Sequence, residues 1–137
     1  MIFDILEAKL AAAGLGTPGV NIFRGFMPAE VTIGIMSRDP LQGIPVDQEI
    51  PGWYRGDLQF IVRHVDPVEG LALANRVIKA LIVQTPENYP ATEERGAARI
   101  VRFFPSQLPI KYPLLVGNGI EWSLHFDTAF TLKSDWT

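Results

Sequence analysis

The clearest pattern of hydrophobic and polar positions lies in Leu58–Val83, where a period of two residues changes to a helical period. The alternating part predicts a strand with one buried face, formed by Leu58, Phe60 and Val62. Asp66 and Pro67 follow and suit a helix start, the first as N-cap and the second at the first helical position. Spacings of three and four then predict a buried helix face of Leu71, Ala74, Ile78 and Leu81. We expect this helix to lie across a sheet.

The same periods predict one further helix and several short strands. The helix is expected at Ile2–Ala13 and the strands at Val20–Arg24, Val31–Ser37, Arg99–Phe104 and from Ile120 onward. The first two strands are expected to form a hairpin, and Gly117-Asn118-Gly119 predicts a turn before the last strand. That strand has an apolar face of Ile120, Trp122, Leu124, Phe126, Phe130 and Leu132, and its length suggests that part of it extends beyond the domain.

This order of elements predicts one domain over residues 1–137 of the α+β class, a mainly antiparallel sheet with two helices packed on one face. Residues 38–57 show no sustained period and are rich in proline and glycine, yet they carry Ile50, Trp53 and Tyr54. A long apolar loop either folds back on its own domain or forms an arm that packs on another subunit. Glu87–Ala98 is expected to be an exposed loop, and Pro105–Pro113 to be extended.

Composition narrows the possible functions. The 137 residues carry a formal net charge of -3, which argues against a general nucleic-acid binder. The chain has no cysteine, so disulfides and thiolate metal sites are excluded. The first residues have no basic region and no apolar run is long enough to span a bilayer, so we expect neither a signal peptide nor a membrane partner.

Few residues suggest chemistry. Ser123, His125 and Asp127 share one face of the last strand, but positions two apart lie about 6.5–7 Å apart along a strand, so we do not expect a catalytic triad. The histidines His64 and His125 have an aspartate two residues further on, which is weak evidence for a metal site. We therefore predict no catalytic residue, no metal and no cofactor.

Basic residues cluster in the second half of the chain. Arg95, Arg99 and Arg102 precede Lys111. They could form an anion-facing patch, although a solvated loop is the more common structure for such a cluster.

Four segments resemble a known family: Asn21–Pro28 (NIFRGFMP), Ile50–Gly56 (IPGWYRG), Leu58–Arg63 (LQFIVR) and Gly119–Phe126 (GIEWSLHF). In this order, behind a starting helix, they resemble the tail terminator or minor capsid (neck) proteins of tailed bacteriophages. The resemblance implies a structural virion protein without catalytic residues or cofactor, which forms a homohexameric ring at the head-proximal end of the tail tube. The ring would stop tube growth and join the tail to the head connector.

The partners implied by the resemblance are further copies of the chain, the tail tube protein and the head–tail connector, with DNA passing through the lumen without specific binding. Assembly would take place in the host cytoplasm. Candidate interface residues come from the long loop, the last strand and the tail: Ile50, Trp53, Tyr54, Glu121, Asp127 and Trp136. The alternatives are another neck or head–tail completion protein, and a small-molecule-binding domain of ferredoxin-like type with its site between sheet and loop.

Overall fold

The computed structural model describes residues 1–113 and 119–136. It contains two helices and seven strands, in the order α1 (Phe3–Ala12), β1 (Ile22–Arg24), β2 (Gly34–Arg38), β3 (Trp53–His64), α2 (Pro67–Leu81), β4 (Glu87–Tyr89), β5 (Ala98–Pro105), β6 (Ile110–Pro113) and β7 (Ile120–Leu132). The predicted α+β class is confirmed. The predicted turn at Gly117-Asn118-Gly119 falls mostly outside the described residues. None of the helices described is long and apolar enough to cross a membrane.

The longest strand, β7, lies at the centre of the sheet. It pairs antiparallel with β3 along the whole of β3, from Trp53 opposite Thr131 to His64 opposite Ile120. Its other edge pairs with β5 and then with β6. The strand order is therefore β1-β2-β3-β7-β5-β4, with β6 beside β7. The prediction that part of β7 extends beyond the domain was wrong, because its partners cover it from end to end.

Both helices cover one face of the sheet. The inward side chains of β3 and β7 join those of α1 and α2 in a single core, whose largest fully buried members include Phe60, Phe103, Phe126 and Phe130. Two aromatic pairs hold its centre: Phe103 stacks on Phe126 at 4.7 Å, and Phe60 meets Phe126 edge to face at 5.8 Å. The apolar faces predicted for β3 and β7 point into this core.

Helix α2 begins as predicted but is rotated from the predicted face. Asp66 caps it by accepting the backbone N–H groups of Val68 and Glu69. Leu71, expected inside, is 43% exposed, and the buried face consists of Gly70, Leu73, Ala74, Val77 and Leu81. Gly70 explains the rotation, because a Cβ there would overlap the indole ring of Trp122 on β7. The helix thus packs on the sheet through its glycine.

The first two strands do not form the predicted hairpin. Strand β1 runs parallel to β2, with Ile22 opposite Ile35, so residues 25–33 cross from one end of the pair to the other. The crossing residues pack over the sheet, where Arg63 donates hydrogen bonds to the carbonyl oxygens of Pro28 and Val31 at 2.9 and 3.0 Å. The pattern of alternating residues revealed two strands but not their relative direction.

Strand β5 carries a β-bulge that shifts its side chains. Its register against β7 slips between Ile100 and Arg102, so Ile100 and Phe103 both point into the core. The strand predicted at Arg99–Phe104 is present, but the simple alternation of such a strand, which would place Val101 and Phe103 on one face, does not hold across the bulge.

Two predicted loops are partly ordered strand. Trp53 and Tyr54 belong to β3, so the connection between β2 and β3 shrinks to residues 39–52. Residues Glu87–Tyr89 form β4, which pairs with β5. Within the same predicted loop, the guanidinium of Arg95 is almost fully buried and binds Asp4 of α1 at 2.9 Å. This arginine fastens the loop to the first helix.

Candidate assembly surface

The helix-free side of the sheet is here called the open face. It is formed by the outward side chains of two paired strands: Trp53, Arg55, Asp57, Gln59, Ile61 and Arg63 on β3, and Glu121, Ser123, His125, Asp127, Ala129 and Thr131 on β7. One end lies under residues 25–33 through the hydrogen bonds of Arg63. Most of the remaining side chains are polar or charged, and no described helix lies against the open face.

The open face brings two members of the suspected triad together but not the third. Ser123 Oγ lies 3.0 Å from His125 Nε2 and accepts a hydrogen bond from Gln59 Nε2 at 2.6 Å. The expectation that spacing keeps the serine and histidine apart was wrong, because the imidazole reaches back along the strand. Asp127 instead pairs with Arg102 of β5. Ser123 is only 2% exposed and the acid faces another partner, so no triad is assembled.

The two histidines are also separated. His64 lies opposite Ile120 on the core side of β3, and its Nδ1 accepts the backbone N–H of Asp66. His125 lies opposite Gln59 on the open face. Over the described ranges, no group of three or more histidine, aspartate or glutamate side chains is arranged to hold a metal ion.

The six candidate interface residues fall into three groups. Trp53, Glu121 and Asp127 lie on the open face, where Glu121 pairs with Arg63 at 3.0 Å. Tyr54 instead points into the core, where its ring packs 5.3 Å from that of Phe130. The exposed remainder consists of Ile50 and Trp136. We therefore leave Tyr54 out of the proposed surface.

The connection between β2 and β3, residues 39–52, is here called the arm. Ile44 packs on the core, 3.5 Å from the position of a Cβ on Gly56. Leu41 is 97% exposed, and Val46 and Ile50 are about half exposed. The arm thus folds back on its own domain at Ile44, while its contact with another subunit stays a prediction.

A cavity of about 570 Å³ lies between the arm and the open face. Its lining includes Arg38, Arg55, Gln59 and His125, but neither Trp53 nor Tyr54. A small-molecule site between sheet and loop would be closed by these two aromatic rings together. Trp53 does line a separate cavity of about 310 Å³ with Pro45 and Val46 of the arm. Tyr54 points into the core instead, so the two rings do not close one pocket.

Residues 99–113, here called the β5–β6 edge, lie on the side of β7 away from β3, and β4 pairs with β5 beyond them. Strands β5 and β6 pair with the same edge of β7, and residues 106–109 bulge out between them, with Leu108 86% exposed. Phe104 and Tyr112 are also exposed. The sequence did not indicate this surface, because three prolines suggested only an extended chain. The basic cluster is divided. Arg95 binds Asp4. Arg99 and Arg102 lie on the helix-free side of β5, whereas Lys111 lies opposite Trp122 on the helix side of the sheet.

The charged side chains of α1 are paired within the chain. Three salt bridges of 2.9 Å tie α1 to its surroundings: Arg24–Glu7, Lys9–Glu87 and Arg95–Asp4. The hydrogen bonds that Arg24 donates to the carboxylate of Glu7 raise the pKa of Arg24. Burial and the hydrogen bond to Glu87 raise the pKa of Tyr89 to about 12. These ion pairs and hydrogen bonds link α1 and β4 to the rest of the fold.

Two comparisons with known proteins found a match. The sequence profile of the family described as bacteriophage tail terminator protein matches residues 9–132. Among solved structures, the chain is similar to one from the virion of a native gene transfer agent particle, with a TM-score of 0.64 and 14% sequence identity over 92% of this chain and 91% of that chain. No curated protein sequence matches.

Proposed function

The chain belongs to the bacteriophage tail terminator family, and from this membership we propose that it forms a homohexameric ring at the head-proximal end of the tail tube. Its role is structural: it is a tail terminator of a virion and associates with tail and head components. We further propose the ring size and the partners of the ring. The ring stops polymerisation of the tail tube protein, binds the head–tail connector on its other side, and assembles in the host cytoplasm.

The observation that carries this proposal is the family match over residues 9–132, which includes every strand of the sheet. The surfaces of the chain support it. A closed ring needs two different contact surfaces on each subunit, so that one copy binds the next head to tail. The chain offers the arm and the β5–β6 edge on opposite sides of β7, and the open face between them.

We propose that acidic side chains face the lumen, so that DNA passes without being held. Double-stranded DNA binds surfaces rich in lysine and arginine through counterion release, whereas an acidic lining repels it. Two candidate positions for this lining are the acids of β7 and those of residues 93–94. On β7, Glu121 pairs with Arg63 and Asp127 pairs with Arg102, so both carboxylates are neutralised within the sheet. Glu93 and Glu94 are exposed and make no salt bridge to a described residue, so their loop is the better candidate for the lining.

Native mass spectrometry tests the ring size, because a hexamer has six times the 15.2 kDa mass of one chain. Tail length tests the role: tubes polymerised from purified tail tube protein should stop growing when the ring is added, as measured by electron microscopy. Deletion of the arm tip, residues 40–43, should abolish rings and leave a folded monomer, because Ile44 stays in place. Tubes that grow on past a bound ring would contradict the terminator role and favour another neck function.

The lumen has its own test. Reversal of Glu93 and Glu94 to lysine should slow DNA ejection and leave the ring intact. A lumen lined by Arg99 or Arg102 would contradict the acidic lining.

A further inference from the structure

Residues 25–33, which connect β1 to β2, are here called the strap. The strap crosses the helix-free side of the sheet without joining a strand of it. Within the described ranges, only two of its backbone N–H groups donate hydrogen bonds, that of Gly25 to Ser37 and that of Val31 to Pro28. A segment with so few backbone hydrogen bonds belongs to the part of a fold that can open locally.

The strap lies over a row of mostly apolar side chains. The strand registers align five residues across the helix-free side of the sheet: Phe23, Met36, Ile61, Ser123 and Ile110. Ile61 is only 7% exposed, although no described helix lies on this side. The strap provides the cover.

Met27 anchors the strap on the sheet. Its side chain is 6% exposed, and its Sδ lies 3.0 Å from the position of a Cβ on Gly34. Gly34 lies opposite Arg63, one position along the strands from the pair of Met36 and Ile61. Met27 therefore packs at the end of the apolar row.

One charged side chain holds the middle of the strap. Arg63 Nη1 donates to the carbonyl oxygens of Pro28 and Val31 at 2.9 and 3.0 Å. Its Nε and Nη2 donate to Glu121 Oε2 at 3.1 and 3.0 Å. The Arg63 side chain is only 14% exposed, so these bonds are largely shielded from water. Glu121 thus orients the guanidinium, and the guanidinium binds the strap.

We propose that the strap is a releasable cover, which opens and closes over the apolar row while the sheet stays folded, and that Arg63 holds it closed. When the strap opens, Met36 and Ile61 meet solvent in the middle of a polar surface. Exposed apolar patches favour association with other chains. The closed strap therefore keeps a free subunit from premature contacts. This inference goes beyond the proposed ring and does not depend on it.

Oxidation of methionine by hydrogen peroxide measures the opening. Peroxide converts the thioether to a sulfoxide and is itself reduced to water. Met1 is 42% exposed and reports free access, whereas Met27 can react only when the strap opens. Mass spectrometry of peptides gives the rate at each position. In the unmodified chain, Met27 should react more slowly than Met1, at a rate that low urea concentrations leave unchanged, because local opening exposes little surface.

Substitution of Arg63 tests its role. Arg63→Lys keeps the charge beside Glu121 but cannot reproduce the planar fork of hydrogen bonds. It should raise the oxidation rate of Met27 by about tenfold, the effect of losing one hydrogen bond to a charged group. The matched control, Arg99→Lys, makes the same exchange on β5, two strands away from Arg63, and should leave the rate unchanged.

A second variant covers the case in which Arg63→Lys does not fold. Arg63→Leu combined with Glu121→Leu removes the hydrogen bonds to the strap and leaves no unpaired buried charge. It should also raise the oxidation rate of Met27. Circular dichroism checks that each variant is folded. Light scattering at a fixed concentration should rise in both variants and not in the control, because the apolar row is exposed more often.

Three outcomes overturn the proposal. Oxidation of Met27 as fast as that of Met1 in the unmodified chain would show that the strap is not a cover. A rate that rises with urea as steeply as hydrogen exchange in β7 would show that Met27 is reached only by global unfolding. Equal rates in the Arg63 variants and the control would show that Arg63 does not hold the strap. None of these results concerns ring formation by the unmodified chain, so the proposed function is tested separately.

Discussion

Replacement of Gly70 by alanine tests how α2 packs on the sheet. In an exposed helix interior, glycine to alanine is stabilising by about 1 kcal/mol. Here the new Cβ would overlap the benzene part of the indole of Trp122, which is almost fully buried and has no space to turn. Overpacking of this kind costs about 1–3 kcal/mol, and more where the neighbour is rigid. We therefore expect Gly70→Ala to lower the free energy of unfolding by about 1–2 kcal/mol.

A second substitution separates the overlap from other effects. Trp122→Phe removes the ring atoms that meet the new Cβ, so Gly70→Ala should become neutral or stabilising in that background. The two substitutions are thus coupled by about 2 kcal/mol in a double-mutant cycle. Asn75→Ala, on the exposed side of the same helix, is the matched control and should be mildly stabilising through helix propensity alone.

Urea unfolding followed by circular dichroism measures the free energy of unfolding of the unmodified chain, the two single variants, the double variant and the control. All are measured at one fixed protein concentration, because assembly shifts apparent stability. Stabilisation by Gly70→Ala in the unmodified chain, or equal effects in both backgrounds, would refute the packing argument.

Three other predictions concern individual side chains: Tyr89, Arg95 and the two histidines. The pKa of Tyr89 is raised from 10.0 to about 12, so the protonated phenol stabilises the fold below pH 10.0 and this stabilisation is lost as the pH rises to about 12. Thermal unfolding measured across this pH range should show the loss in the unmodified chain but not in Tyr89→Phe. Arg95→Ala should lower the free energy of urea unfolding by about 2–3 kcal/mol, because it strands Asp4 and two carbonyl groups. Replacement of His64 and His125 together by glutamine should leave ring formation and tail termination intact. Loss of either function in a folded ring would point to unrecognised chemistry.

Local periodicity predicted those parts of the fold that depend on neighbours along the chain. The alternation in β3 and β7 identified the buried faces because burial imposes a period of two whichever strand lies alongside. The cap at Asp66 was equally predictable, since its partners lie two and three residues away. The class of the fold followed from these elements and their order.

Features set by distant residues could not be predicted in this way. The parallel pairing of β1 with β2 depends on where residues 25–33 cross, and no period encodes that path. The rotation of α2 depends on Trp122, far along the chain, which leaves room only for a glycine. The sequence indicated three parts of the candidate surface: the arm, Trp53 and the acids of β7. It did not indicate the β5–β6 edge, because the loop of residues 106–109 and the strands beside it expose apolar side chains that the sequence pattern does not distinguish from buried ones.

The central position of β7 has a consequence for the timing of folding. Its partners β3, β5 and β6 are all made earlier by the ribosome, yet none of them can complete the sheet before Ile120–Leu132 arrives. Contacts between residues so far apart in sequence form slowly, because a long loop must close first. A nascent chain therefore has no open face until translation reaches its last strand. A chain cut short before Ile120 would therefore lack the strand that joins β3 to β5 and β6.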